Sequence, residues 1–350
     1  MRLSPEAVDV GAVERVFVGT TRAADEDEAF SGKRSFDARF SRFDVSIPPD
    51  REIGQVPYPP RRAAPDPRRH MVTVEEEDFA TDAAFRAALS AAMAPSRRGA
   101  REAVVFVHGF NNTFAEGLYR FAQLTHDLDL PGVAVHYAWP SRGSVLGYAY
   151  DRDSALFARD GLERLLQQVT AAGADRILIV AHSMGSALTM ETLRQLAIRG
   201  DAGVMRRIGG VVLMSPDIDV DVFRAQAQAV GRLPQPFVVF TSSRDRALAL
   251  SATIALEGER LGNLRNLDRL AGLPVTVLEV GAFSSGDGHF TAATSPALIR
   301  LLNRIGDIDE ALGSDAASRV GLLPGAVLTV QGATRVILSP VAAIGEGLAQ

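Results

Sequence analysis

Ser183 sits in Ala181-His182-Ser183-Met184-Gly185, directly after the apolar run 177–180 and directly before a helical pattern over 186–199. A strand that enters a helix through a serine flanked by small residues is a nucleophile elbow, a turn too sharp to admit bulk two positions either side of the serine. Those positions hold Ala181 and Gly185, with alanine standing where glycine is usual. Such a turn raises the serine hydroxyl above the sheet edge. It also aims the N–H of the next residue, Met184, at an oxyanion forming there. The bland alternative is a serine that only caps a helix.

A serine hydroxyl is a weak nucleophile at neutral pH and needs a base within hydrogen-bond reach. The chain has six histidines, at positions 70, 108, 126, 136, 182 and 289. Behind an elbow the partners follow in the order Ser, acid, His, which leaves His289. It lies in Ser284-Ser285-Gly286-Asp287-Gly288-His289, a loop past a strand pattern at 274–280. Asp245 follows the strand before that one and is the favoured acid. Asp217, Asp219 and Asp221 follow an earlier strand, and Asp217 is the alternative. Asp287 is too near His289 in sequence to orient it. The second oxyanion donor should come from the loop His108-Gly109-Phe110-Asn111, with the N–H of Phe110 preferred to that of Asn111. His108 precedes the nucleophile and reads as a brace bonded to backbone, His182 as packing, and Trp139 as core or site wall.

These groups need elements to hold them. Apolar runs at 103–107, 133–137, 176–180, 209–214, 237–240 and 274–280 read as strands. Helical patterns alternate with them, from Thr113 and Glu116 at capping-box spacing to about 127, at 151–172, at 186–199 and near 220–230. Ser295-Pro296 opens a last helix. Apolar strands alternating with helices predict an α/β domain with a mostly parallel sheet covered on both faces, and chemistry at the carboxyl ends of its strands. The expected organisation is an N-terminal extension (1–100) packed on the domain, a catalytic core (101–310) and a C-terminal tail (311–350). Within the extension, short strands are expected at 16–18 and 43–47. Prolines crowd 48–67, an extended surface segment. The acidic run 75–78 reads as a solvated face or helix start. The short connection between 214 and 237 leaves no room for a large cap, so the pocket over Ser183 should be fairly open.

Composition removes other classes. Lys plus Arg is 37 against 42 for Asp plus Glu, a net charge of −5 that builds no basic field for nucleic acid. With no cysteine there is no disulfide, thiolate metal site or cysteine nucleophile. There is no phosphate loop ending in Lys-Ser/Thr and no helical histidine pair for zinc, so no cofactor or metal is expected. No uncharged apolar run reaches the ~20 residues that span a bilayer. The stretch 320–345 comes nearest, with Arg335 inside it and Pro324 and Pro340 breaking it. It is expected to dock on the domain as strand and helix, the sharper option being peripheral membrane contact. Residues 1–10 lack the apolar core of a signal peptide. The chain as written is therefore expected in the cytoplasm, or on the cell envelope if a natural start lies upstream.

The segments 105–114 (VFVHGFNNTF), 139–143 (WPSRG), 150–153, 181–185 (AHSMG) and 215–219 (SPDID), with 16–22 (VFVGTTR) ahead of them, resemble a bacterial α/β-hydrolase family of unknown function, the domain-of-unknown-function 900 type. The resemblance spans roughly 13–302. It implies the α/β-hydrolase fold, esterase- or lipase-like activity, Ser183 as nucleophile, Asp245 as acid and His289 as base. It implies no substrate.

The sequence therefore predicts a serine hydrolase that cleaves small carboxylic esters through an acyl-enzyme. Thioesterase, amidase or acyltransferase activity on the same triad is the alternative. A hydrolase-fold binding protein without turnover is the rival from another class.

Overall fold

The computed structural model describes residues 1–26, 29–60, 63–93, 101–243, 245, 248, 259–283, 291–303, 325–330 and 333–338. The strands are β1 (Ala12–Asp25), β2 (Ala29–Ile47), β3 (Val72–Phe79), β4 (Glu102–Val107), β5 (Val133–Ala138), β6 (Arg176–His182), β7 (Ile208–Met214), β8 (Phe237–Thr241), β9 (Thr276–Glu279), β10 (Gly325–Val330) and β11 (Ala333–Leu338). The helices are α1 (Asp82–Ala92), α2 (Phe114–Asp127), α3 (Tyr148–Phe157), α4 (Arg159–Ala171), α5 (Met184–Arg199), α6 (Ala202–Arg207) and α7 (Val220–Val230), and residues 296–303 are helical too.

The strands form one sheet in the order β10-β11-β9-β8-β7-β6-β4-β5-β1-β2-β3. From β11 to β1 neighbouring strands are parallel, and the hairpins β10–β11 and β1–β2–β3 run antiparallel at the ends. Both faces are covered, which is why the central strands read as unbroken apolar runs. Val105 and Val107 of β4 face a core with Leu165 of α4, Leu188 of α5 and Phe223 of α7. Val104 and Phe106 face the opposite core with Leu118 and Phe121 of α2 and Leu298 of the last helix. The α2 start carries the full capping box of Thr113 and Glu116, as the spacing predicts. Between Met214 and Phe237 the chain makes a single helix, α7.

Chain order reverses at β4, whose neighbours are β5 on one side and β6 on the other. Loops leaving β4 and β6 must then part to opposite faces, opening a crevice between their carboxyl ends. The elbow after β6 and the loop after β4 meet there.

Three local expectations differ. The early strands are parts of a long hairpin, because β1 and β2 continue pairing through register shifts near Thr20, Arg22 and Ala24. Such shifts interrupt the pairing, so a strict alternation of apolar residues cannot reveal the hairpin. The acidic run is a solvated face, but it lies on strand β3 rather than opening a helix, and Arg42 of β2 pairs with Glu75 and Glu77. The helical pattern at 151–172 is two helices that meet at Ala158.

Candidate active site

Ser183 has φ 50° and ψ −121°, a region sparsely allowed for any residue but glycine. Its N–H is held by Met214 O of β7 at 2.9 Å, and its own carbonyl accepts from Ser186 N at 3.0 Å and Asp217 N at 3.2 Å. The side chain makes no capping bond to α5, so this serine is not serving as an ordinary helix cap. Strain of this kind persists only where surrounding structure enforces it.

The elbow's small neighbours answer to close packing. A Cβ on Gly185 would lie 2.2 Å from His108 O and 2.6 Å from Val107 O, so β4 and its loop press directly on the first turn of α5. A Cβ on Gly109 would lie 2.5 Å from His182 Nδ1 and 3.0 Å from Ser183 Cβ. The loop after β4 and the elbow are therefore in contact. Ser183 is 2% exposed. Two cavities, of about 610 Å³ beside Arg51 and Tyr58 and about 590 Å³ beside Leu196 and Leu233, have other linings.

The loop after β4 is itself built from buried polar groups. The His108 ring stacks on Trp139 at 4.9 Å, and its nitrogens lie 2.8 Å from Gly109 O and 3.0 Å from Trp139 O. Burial, reinforced by the nearby Arg22 cation, holds its pKa well below the usual imidazole value. His108 is thus a neutral brace, and Trp139 is wholly buried with its Nε1–H donating to His108 O at 2.7 Å. His136, next to His108, is pushed down to about 3 by burial. Arg22, Ser141 and Asp151 complete this scaffold, and burial raises the Asp151 carboxyl above the ordinary carboxylate value. Their types and spacing carry no local signature of a site, although all three lie in segments that resemble the family.

Asp245 follows β8 and is buried, with its Oδ1 accepting from Leu248 N at 2.9 Å. Asp217 follows β7 and is buried too. Tyr148 Oη donates to its Oδ2 at 3.0 Å, and Arg260 Nε stands 3.3 Å from its Oδ1. Tyr148 also meets Phe110 edge-to-face at 5.4 Å. His289 lies outside the described residues. The strand that leads toward it ends in Glu279, a buried carboxylate the sequence reading passed over. Among the described residues no three His, Asp or Glu side chains gather as a metal site. None of the described helices is long and apolar enough to cross a membrane.

Comparison with known proteins adds the following. Residues 82–304 match the family described as alpha/beta hydrolase of unknown function (DUF900). An uncharacterized protein of Nostoc sp. is 38% identical over 63 residues, 18% of this chain and 16% of that protein, so the match spans a small part of its length. Among solved structures, a monoacylglycerol lipase of Paleococcus ferrophilus is 13% identical with a TM-score of 0.35, covering 58% of this chain and 94% of that one. Lipase B of Aspergillus fumigatus is 14% identical with a TM-score of 0.39, covering 65% of this chain and 57% of that one. With more than half of its length matched by the family and a doubly covered parallel sheet reversing at β4, the chain belongs to the α/β hydrolases of unknown function.

Proposed function

We propose that the protein is a serine hydrolase acting on carboxylic esters. Ser183 Oγ attacks the ester carbonyl while the His289 imidazole takes its proton. The N–H groups of Met184 and Phe110 hold the oxyanion of the tetrahedral intermediate. Collapse breaks the ester C–O bond, and His289 returns the proton to the leaving alcohol. Water then enters, loses a proton to His289 and releases the acid from the acyl-enzyme. Asp245 orients the imidazole from its buried place after β8.

The observation that carries this reading is the backbone of Ser183, held at φ 50° and ψ −121° with its side chain free of capping duty. Strained backbone of this kind clusters at active sites. The N–H of Asn111 donates to Asp151 Oδ2 at 3.3 Å, which favours Phe110 as the second oxyanion donor.

The test is active-site labelling with a fluorophosphonate alongside hydrolysis of p-nitrophenyl esters from acetyl to palmitoyl. Wild type should label and turn over short acyl esters, and Ser183→Ala should do neither. Equal labelling of both proteins removes the reading. Thioester or anilide substrates cleaved in place of esters would move it to the thioesterase or amidase alternative.

A further inference from the structure

Arg22 and Asp151 are both buried, 1% and 0% exposed, and both direct their polar atoms onto the two loops beside the elbow. Arg22 Nη2 donates to Asn112 O at 2.8 Å, and its Nη1 donates to Ser141 O at 3.0 Å. Asp151 accepts from Arg142 N at 2.8 Å, from Ser141 Oγ at 2.6 Å and from Asn111 N at 3.3 Å. Asn112 closes the circuit. Its N–H donates to Ser141 Oγ at 3.1 Å, and its Nδ2 donates to Phe110 O at 2.8 Å and Gly109 O at 3.2 Å.

Burying a guanidinium and a carboxylate is expensive, and apolar packing usually stabilises a core better. What such groups supply is fixed geometry, through many directional bonds at once. The loop needs outside support, since Asn111 sits at φ 57°. The bonds above take the carbonyls of Gly109, Phe110 and Asn112 and the N–H groups of Asn111 and Asn112. None of them uses the N–H of Phe110.

We propose that Arg22 and Asp151 are positioning residues that fix the 109–112 loop so that the Phe110 N–H meets the oxyanion at Ser183. This rests on the hydrolase reading above. Neither residue touches substrate. Both act through the loop, where a displacement of ~1 Å is enough to lower the rate about 10²-fold.

The experiment compares the full wild-type chain with Arg22→Met, Arg22→Lys, Asp151→Asn and Arg51→Met on p-nitrophenyl butyrate. Hydrogen exchange of the 108–113 peptide is followed in each. Arg22→Met and Asp151→Asn should lower kcat ~10–100-fold with KM changed less than about twofold, and should speed exchange at 108–113. Arg22→Lys should recover part of both. Arg51 is a buried arginine paired with Asp127, apart from this network, and Arg51→Met should leave kcat and loop exchange as in wild type. Unchanged kcat, unchanged exchange, or an equal loss in Arg51→Met overturns the proposal. A wild-type chain that hydrolyses no ester refutes the hydrolase reading and the oxyanion role together. The exchange rates then still report whether the two charges fix the loop.

Discussion

Glu279 Oε1 accepts the backbone N–H of Ser243 at 3.0 Å, tying the end of β9 to the loop that carries Asp245. The same oxygen takes Gly281 N at 3.1 Å, at the start of the segment leading to His289. The other oxygen takes Thr241 Oγ1 at 3.0 Å and Arg335 Nη2 at 3.1 Å, from the hairpin at the far end of the chain. One carboxylate thus sets the spacing of the two loops that hold the proposed acid and base. Glu279→Ala leaves a guanidinium and two amides without their acceptor and should destabilise the protein by about 3 kcal/mol. Glu279→Gln should cost less. Urea unfolding monitored by fluorescence measures both, and equal midpoints for Glu279→Ala and wild type would contradict the bracing role.

Strain at the elbow makes an opposite prediction. Glycine tolerates the Ser183 backbone conformation without penalty, whereas alanine does not. Ser183→Gly should therefore be more stable than Ser183→Ala by about 1 kcal/mol, with both inactive on esters. Denaturant midpoints of the two variants give the answer directly. If Ser183→Ala proves the more stable, the turn is relaxed and the argument from its geometry is lost.

The two candidate acids separate by mutation. Asp245→Asn should lower kcat by about 10⁴, because the imidazole loses the partner that fixes its tautomer. Asp217→Asn should act mainly on the contacts to Tyr148 and Arg260 and lower kcat less than about tenfold. Steady-state kinetics on one chromogenic ester decides, and the reverse order would transfer the orienting role to Asp217.

Acid should weaken the fold through the buried imidazoles. His136 is held at about 3 and His108 well below 6.5, so between those values and 6.5 the unfolded chain binds protons that the folded one refuses. Stability is full above pH 6.5 and declines as pH falls. His136 contributes a loss of about 1 kcal/mol between pH 7 and 5.5, and His108 acts in the same direction. The Asp151 carboxyl, raised by burial, contributes with the opposite sign. His136→Gln removes one imidazole, so its stability should fall less steeply over that interval in parallel urea titrations. An identical slope would mean that His136 is not excluded from protonation.

The central strands and the elbow were legible because each is decided locally. Four to seven apolar residues buried on both faces read as a strand wherever they occur, and Ser183 between Ala181 and Gly185 reads as a tight turn. Arg22 was not legible, because a charged residue in a strand reads as exposed until its partners at 112 and 141 are in place. Asp151 reads as the polar face of a helix, and its burial depends on the loops that carry Asn111, Ser141 and Arg142. Glu279 looks like a strand terminus, and its bonds to Ser243 and Arg335 reach 36 and 56 residues along the chain. Side chains that brace a site through distant backbone leave no pattern at short spacing.

The sheet is open, so it has two outer rims, and β3 forms one of them. Four acids in succession, Glu75 to Asp78, occupy that rim, and the Glu75 and Glu77 side chains remain 57% and 47% exposed. A second copy approaching edge to edge would set carboxylate against carboxylate, so the rim repels its own kind. Neutral substitutions at those four positions remove the guard and invite edge-to-edge self-association at a surface remote from Ser183.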